Sequence, residues 1–259
     1  MGYPNIIYGD YGDEKVTSTA KIGGLPLGIR MVLPDGREFV HARASATALV
    51  AGSSYQQAAI PADTAMAKAL AVNAAAIGAT TLNITAGGTT AFTVDQFADG
   101  YVVVASSVGT GMGHTYKVKA NNSAAVSASA KFTLYENDAI KVAFNASTLV
   151  GLRANEFDQV LLTTANTVAT GIPAGIPPVA VAASAYCWLQ RKGPAAWASA
   201  GTVLIAGLPV LASTAVAGQC TVAFATTAGY LAARNIDFWG HAITIALDTG
   251  YALVNLELR

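Results

Sequence analysis

Glycine punctuates the last third of this chain at intervals of roughly ten residues, at Gly201, Gly207, Gly218, Gly229, Gly240 and Gly250. Between and before these glycines lie short apolar runs: Tyr186-Cys-Trp-Leu189, Thr202-Val-Leu-Ile205, Pro209-Val-Leu211, Cys220 to Phe224, Ala242 to Leu247 and Tyr251 to Leu258. Side chains in a strand alternate between two faces, so such runs bury one face each and need neighbours to cover it. Many short strands with glycine turns close most economically into a small barrel or sandwich. The predicted fold class is all-β, with two small β-barrel or β-sandwich domains and an extended N-terminal arm.

The front of the chain reads in the same way. Ile29 to Leu33 and Arg37 to Arg43 flank Pro34-Asp-Gly36, where Asp-Gly suits a tight hairpin turn and Pro34 sets its entry. Ser45 to Gln57 is expected to be a loop and a strand turning at Gly52. Ala65 to Ala79 has helix propensity, but Asn73 and Gly78 interrupt it, so strand or loop is the expectation. Further strands are expected at Thr80–Thr85, Tyr101–Ala105, His114–Lys119, Lys131–Tyr135 and Ile140–Phe144, the last two joined by a turn at Glu136-Asn-Asp138. Thr170-Gly-Ile-Pro-Ala-Gly-Ile-Pro-Pro178 is too rich in proline and glycine for a sheet interior and marks the expected internal boundary. The expected domains are an arm over 1–24, a β-rich domain over 25–170 and a barrel-like domain over 171–259. The arm carries Tyr3, Tyr8 and Tyr11 without sustained periodicity; it is either a frayed terminus or a segment that orders against a neighbour.

Little in the composition points to chemistry. Only 12% of the 259 residues are charged, with 15 basic and 15 acidic residues, three histidines and two cysteines. Zero net charge argues against nucleic acid as a main partner, because phosphate binding needs a concentrated positive field. The hydrophobic fraction is 53%, yet no apolar run reaches the about 18 residues of a membrane helix; Val179 to Leu189 is the longest candidate. No signal peptide is visible at the N-terminus, so synthesis in a cytoplasm and two free buried thiols, Cys187 and Cys220, are expected. A chain so apolar and so poor in charge has surface to bury between subunits.

The motifs with chemical meaning are weak. Gly109-Thr-Gly-Met-Gly113 resembles a phosphate loop, but its third glycine is misplaced and a strand follows instead of a helix, so a hairpin loop is expected. Gly52-Ser-Ser lacks the second glycine of a nucleophile elbow. His41, His114 and His241 are isolated along the chain, and neither cysteine has a CxxC partner, so neither a catalytic set, a metal site nor a cofactor site is expected. Asp237-Phe-Trp-Gly-His241 reads as an aromatic plug beside a turn. Trp188 is expected in the core, with Arg191 and Lys192 in or beside a following turn. Arg191 and Trp197 join the tyrosines Tyr3, Tyr8 and Tyr11 as candidate interface residues, since arginine and aromatic side chains dominate interface energetics.

Several landmarks, in order, resemble a class of tailed-phage virion proteins. They are Leu25-Pro-Leu-Gly-Ile-Arg-Met-Val-Leu-Pro-Asp-Gly-Arg-Glu-Phe-Val-His-Ala-Arg-Ala44, Gly100-Tyr-Val-Val-Val104, Gly111-Met-Gly-His-Thr-Tyr-Lys-Val118, Ile172-Pro-Ala-Gly-Ile-Pro-Pro-Val179, Tyr186-Cys-Trp-Leu-Gln-Arg-Lys-Gly-Pro194 and Ala246-Leu-Asp-Thr-Gly-Tyr251. The class comprises head decoration (cement) proteins and other virion components. The resemblance implies a non-enzymatic protein of the capsid surface. It would form a homotrimer, bind the major capsid protein and bridge capsomers to stabilise the expanded head. A tail or fibre component is the alternative. A carbohydrate-binding or hydrolytic β domain is a third reading, and it would need a cleft where Trp197, Trp239 and Asp237 converge.

Overall fold

The computed structural model describes residues 6–58, 70–87, 89–105, 109–165, 171–201, 204–222, 238–244 and 250–258. Strands and turns account for this structure; no α-helix occurs among the described residues. The chain divides into two compact units, 1–59 with 156–259 and the inserted 60–155. This corrects the expected boundary at residue 170. The proline-glycine stretch is no hinge between domains, because Pro173–Gly175 within it form a strand of the first unit.

The N-terminal segment enters as β1 (Ile6–Tyr8), which pairs in parallel with β2 (Arg30–Val32). β2 returns as β3 (Glu38–Arg43) through the expected turn, where Gly36 has φ 83°, a value that disfavours any side chain with a Cβ. β4 (Tyr55–Gln56) follows the turn at Gly52.

The inserted unit contains β5 (Leu70–Ala71), β6 (Thr81–Thr85), β7 (Tyr101–Val104), β8 (Thr115–Asn121), β9 (Ser129–Leu134) and β10 (Leu149–Arg153). Their order is β5-β10-β7-β8-β9-β6, and the bridge between Val72 and Ile84 brings the last strand back to the first. The sheet is therefore a nearly closed barrel. Alternate residues point inward, among them Val102, Val104, Tyr116, Val118, Phe132, Leu134 and Val150, and all are buried. Phe92 meets Phe97 and Phe132 edge-on at 5.5 and 5.7 Å, closing one side of this core. Glu136-Asn-Asp138 turns the chain as expected. The expected strand at Ile140–Phe144 does not form: Ile140 and Phe144 are buried anchors, held by isolated backbone bonds to Ala79 and Ala75.

The remaining strands of the first unit are β11 (Leu161–Leu162), β12 (Pro173–Gly175), β13 (Tyr186–Ala198), β14 (Pro209–Ala212), β15 (Cys220–Val222), β16 (Gly240–Ala242) and β17 (Tyr251–Glu257). β13 is the spine. Its first half pairs with β3 and its second half with β17, with a register shift between Gln190 and Lys192. On the first half a ring runs β3-β13-β12-β4-β11. It closes through the bridges Ile176–Gln190 and Ala44–Val160 around Val40, Ala42, Tyr55, Ala174, Cys187 and Leu189. On the second half the order β13-β17-β16-β14-β15 returns to β13 through Ser199–Cys220, enclosing Trp197, Trp239, Val210, Val254 and Leu256. One strand thus serves two small rings.

Pro173 has no N–H for the ladder, and its segment is held through its carbonyls instead. One guanidinium nitrogen of Arg191 donates to the carbonyls of Pro173 and Ala174, each at 3.1 Å. Gly175 lets β12 approach closely; a Cβ there would lie 2.7 Å from the Gln190 carbonyl oxygen.

Residues 6–24 run along their own unit as β1, two single 3-10 turns at Asp13–Lys15 and Ile22–Gly24, and connecting chain. Ser18 pairs with Tyr186, and Glu14 is 3% exposed, accepting a hydrogen bond from the Gly12 amide and facing Arg37 at 3.8 Å. Ile7, Ile22 and Leu25 cover Met31, Leu33, Phe39 and Trp188. That cover explains why Phe39, Val40, His41 and Ala42 are all buried in sequence: β3 is enclosed on both faces. Neither reading of this segment describes residues 6–24: they are not frayed, and they order against their own unit rather than a neighbour. Tyr3 lies outside the described residues.

Cys187 and Cys220 are unbonded and buried in separate ring interiors, and burial pushes both thiols up to about 12. Maleimide at pH 8 is therefore expected to label the native protein far more slowly than the urea-unfolded chain, since the thiolate is the reactive form. Rapid labelling of both thiols in the native protein would contradict the structure. Above pH about 9 the unfolded chain sheds thiol protons that the folded chain keeps, so their contribution to stability falls as pH rises toward 12. Urea midpoints at neutral and alkaline pH should diverge less in Cys187→Ala/Cys220→Ala than in the parent.

Candidate interaction surface

The eight-stranded sheet of the first unit places side chains from distant regions of the chain in one row. Tyr8 on β1 is opposite Val32, Val32 opposite Glu38, Glu38 opposite Lys192, and Lys192 opposite Glu257. Residues opposite each other across a sheet share a face, so the row runs from an aromatic edge to an alternating set of charges. Ile6 and Arg30 lie alongside as another opposed pair. β1 ends the sheet, with β2 as its one strand partner among the described residues.

The charged end of this row borders an open groove of about 430 Å³, lined by Arg30, Glu38, Phe39, Arg191, Lys192, Glu257 and Leu258. It lies where β13 changes partners, and the register shift at Gln190–Lys192 brings Arg191 to it. Lys192 meets Glu38 at 3.0 Å and Arg30 meets the other Glu38 oxygen at 3.5 Å. Arg191 is half-buried, with its guanidinium 5.4 Å over the Phe157 ring. Burial lowers its affinity for the proton, Glu156 opposes that effect and the nearby Arg30 adds to it.

The sequence-predicted residues separate on this framework. Tyr8 is 86% exposed and Tyr11 65%, both on the N-terminal segment. Arg191 and Lys192 lie inside β13 rather than in a turn. The strand continues through Gly193 and Pro194 because β17 pairs there along one edge, while β3 ends on the opposite edge at Glu38. Trp197 is fully buried, donates its indole N–H to the Gly218 carbonyl at 3.0 Å and packs on Trp239 at 5.0 Å. It is a core residue with no surface to offer a partner, which corrects its assignment to an interface. The same burial removes Trp197 and Trp239, 3% exposed, from any sugar-binding cleft; Asp237 lies outside the described residues. Arg30 and Glu38 were missed, because their meeting with Lys192 depends on pairings across most of the chain. The hairpin turn at Asp35-Gly36 was the available signal that the two were near each other.

The other candidates resolve as structure. His41 is buried between Tyr186 and Trp188, with Nδ1 3.1 Å from the Pro26 carbonyl; His114 is 3.1 Å from the Tyr116 hydroxyl. The 109–113 loop joins β7 to β8, with the Gly113 amide on the Val104 carbonyl. Among the described residues no group of three or more His, Cys, Asp or Glu is placed to hold a metal, and no helix is long and apolar enough to cross a membrane. Comparison with protein-family models, with curated proteins and with solved structures finds no match to the chain.

Proposed function

We propose that this chain is a structural protein of a tailed-phage virion, acting as a capsid decoration (cement) protein. In this reading it binds the outside of the major capsid lattice as a homotrimer and bridges capsomers of the expanded head. The ordered landmarks from Leu25 to Tyr251 suggest the class. The observation that carries the reading is the sheet edge at β1, where Ile6 and the 86% exposed Tyr8 stand beside strand hydrogen-bonding groups. An apolar aromatic edge is a liability in a protein meant to stay alone and an asset in one that assembles by adding a strand. Tyrosine suits such a contact, since it brings a large apolar face and a polar tip at low cost in side-chain freedom. Several weak contacts from one trimer then add up through effective concentration, which is what a clamp on a pressurised shell needs.

Deleting residues 1–24 would strip the cover from Met31, Phe39 and Trp188, so point substitutions make the cleaner test. Tyr8→Ser/Tyr11→Ser is expected to change stability by no more than about 0.5 kcal/mol per site, both side chains being exposed. Its binding to purified expanded heads should fall sharply, and heads lacking the protein should rupture at lower thermal or osmotic stress. Intact heads with missing tails in particles lacking the protein would overturn the reading in favour of a tail component.

A further inference from the structure

We infer that the groove where β13 changes partners binds a side-chain carboxylate from an acidic, extended segment of a partner polypeptide. Three cations, Arg30, Arg191 and Lys192, line it against two carboxylates, Glu38 and Glu257. Both carboxylates have partners within the protein: Glu38 holds Lys192 and Arg30 through separate oxygens, and one oxygen of Glu257 accepts from Asn255 at 3.3 Å. The lining residues carry one more positive than negative charge, and Arg191 feels Arg30 as a like charge, with Glu156 acting in the opposite sense. A carboxylate between the two guanidiniums relieves that opposition and receives planar, charge-assisted hydrogen bonds.

The site is preorganised for such a guest. Arg191 is fixed from behind by its bonds to Pro173 and Ala174 and by Phe157, so little side-chain freedom is lost on binding. Leu258 gives the groove apolar lining beside its charges, which suits the methylene groups of a glutamate better than a bare ion. The groove is open, and its lining comes from β2, β3, β13, β17 and the residue after β17, so a guest side chain enters it from the sheet surface. This inference goes beyond the virion reading and does not depend on it, since any acidic partner segment would satisfy the geometry.

The test is a titration of the isotope-labelled full chain, followed by NMR, with a capped peptide of alternating alanine and glutamate. Its glutamine counterpart and inorganic phosphate are titrated in parallel. The glutamate peptide should shift the amides of Arg30, Glu38, Arg191 and Lys192, and the glutamine peptide should not. Arg30→Glu should weaken the binding by about tenfold, with an unchanged melting temperature. Lys192→Gln is the second variant if the first melts low, and Arg30→Lys should retain most of the affinity. Equal response to both peptides, response to phosphate alone, or unaltered affinity in a folded Arg30→Glu protein would overturn the inference. Head binding by the same variants is measured separately, so a silent groove leaves the decoration reading standing.

Discussion

Trp197→Ala is expected to cost about 3–5 kcal/mol, the range for emptying a large aromatic from a closed interior. Trp197 has no exposed surface and contacts Trp239, and its indole N–H is bonded to Gly218 in the loop before β15. Removing it leaves a cavity in a ring too small to collapse around it and takes from the Gly218 carbonyl one of its two donors, the Ser54 amide at 2.8 Å being the other. Trp197→Phe separates the two effects: it keeps most of the ring volume and loses the hydrogen bond, so about 1–2 kcal/mol is expected from the bond itself. Urea titration followed by far-UV circular dichroism gives the values. A loss below about 1 kcal/mol in the alanine variant would mean that this side chain is not enclosed as described. The same experiment separates core from interface, because an interface tryptophan would affect binding and leave the isolated chain's stability nearly unchanged.

Asp158→Ala is the second large effect. Arg43 donates two parallel hydrogen bonds to Asp158, Nε to Oδ1 at 2.5 Å and a terminal nitrogen to Oδ2 at 2.8 Å, and the Asp158 side chain is only 7% exposed. Burial pushes the Asp158 carboxyl above the usual range, while Arg43 pulls it back. The pair joins the end of β3 to the segment before β11, where the first ring closes through Ala44 and Val160. Removing Asp158 leaves the Arg43 side chain, 27% exposed, without its carboxylate, with an expected loss of about 3 kcal/mol, at the low end of the range for a buried pair. Replacing both, as Arg43→Met/Asp158→Leu, should recover much of that loss, since a well-packed apolar pair avoids the desolvation cost altogether. A double variant no better than the single one would show that the pair contributes geometry that packing cannot replace. Because the folded-state carboxyl is raised, the folded state takes up its proton first as pH falls. The pH-dependent part of the Asp158 contribution therefore grows on acidification through the carboxylate range and is lost as pH rises through it, separately from the pairing that the alanine variant removes.

Local chemistry made some elements legible. The β2–β3 hairpin rests on Asp35-Gly36, β17 on its uninterrupted alternation, and the burial of Trp188 on its place in an apolar run. Other elements were hidden by long-range contacts. β10 follows the polar Asn145-Ala-Ser-Thr148 and contains a glycine, yet it becomes a central strand between β5 and β7. Pro173 to Gly175 read as a hinge because the guanidinium that satisfies their carbonyls lies eighteen residues beyond Pro173. Of the candidate surface, Tyr8, Tyr11 and Arg191 were legible as residue types suited to contact, whereas Arg30 and Glu38 looked like ordinary charges of a hairpin.

The spacing of glycines and alternating runs determined that this chain builds β structure from short strands, because turn chemistry and side-chain alternation act within a few residues. Which strands meet was decided only in the tertiary structure. Ring closure depends on single bridges, such as Ser199 to Cys220 and Val72 to Ile84, and on one strand serving two rings. Those choices are settled by the joint burial of faces from the whole chain, a quantity no local window contains. The row from Tyr8 to Glu257 is their product.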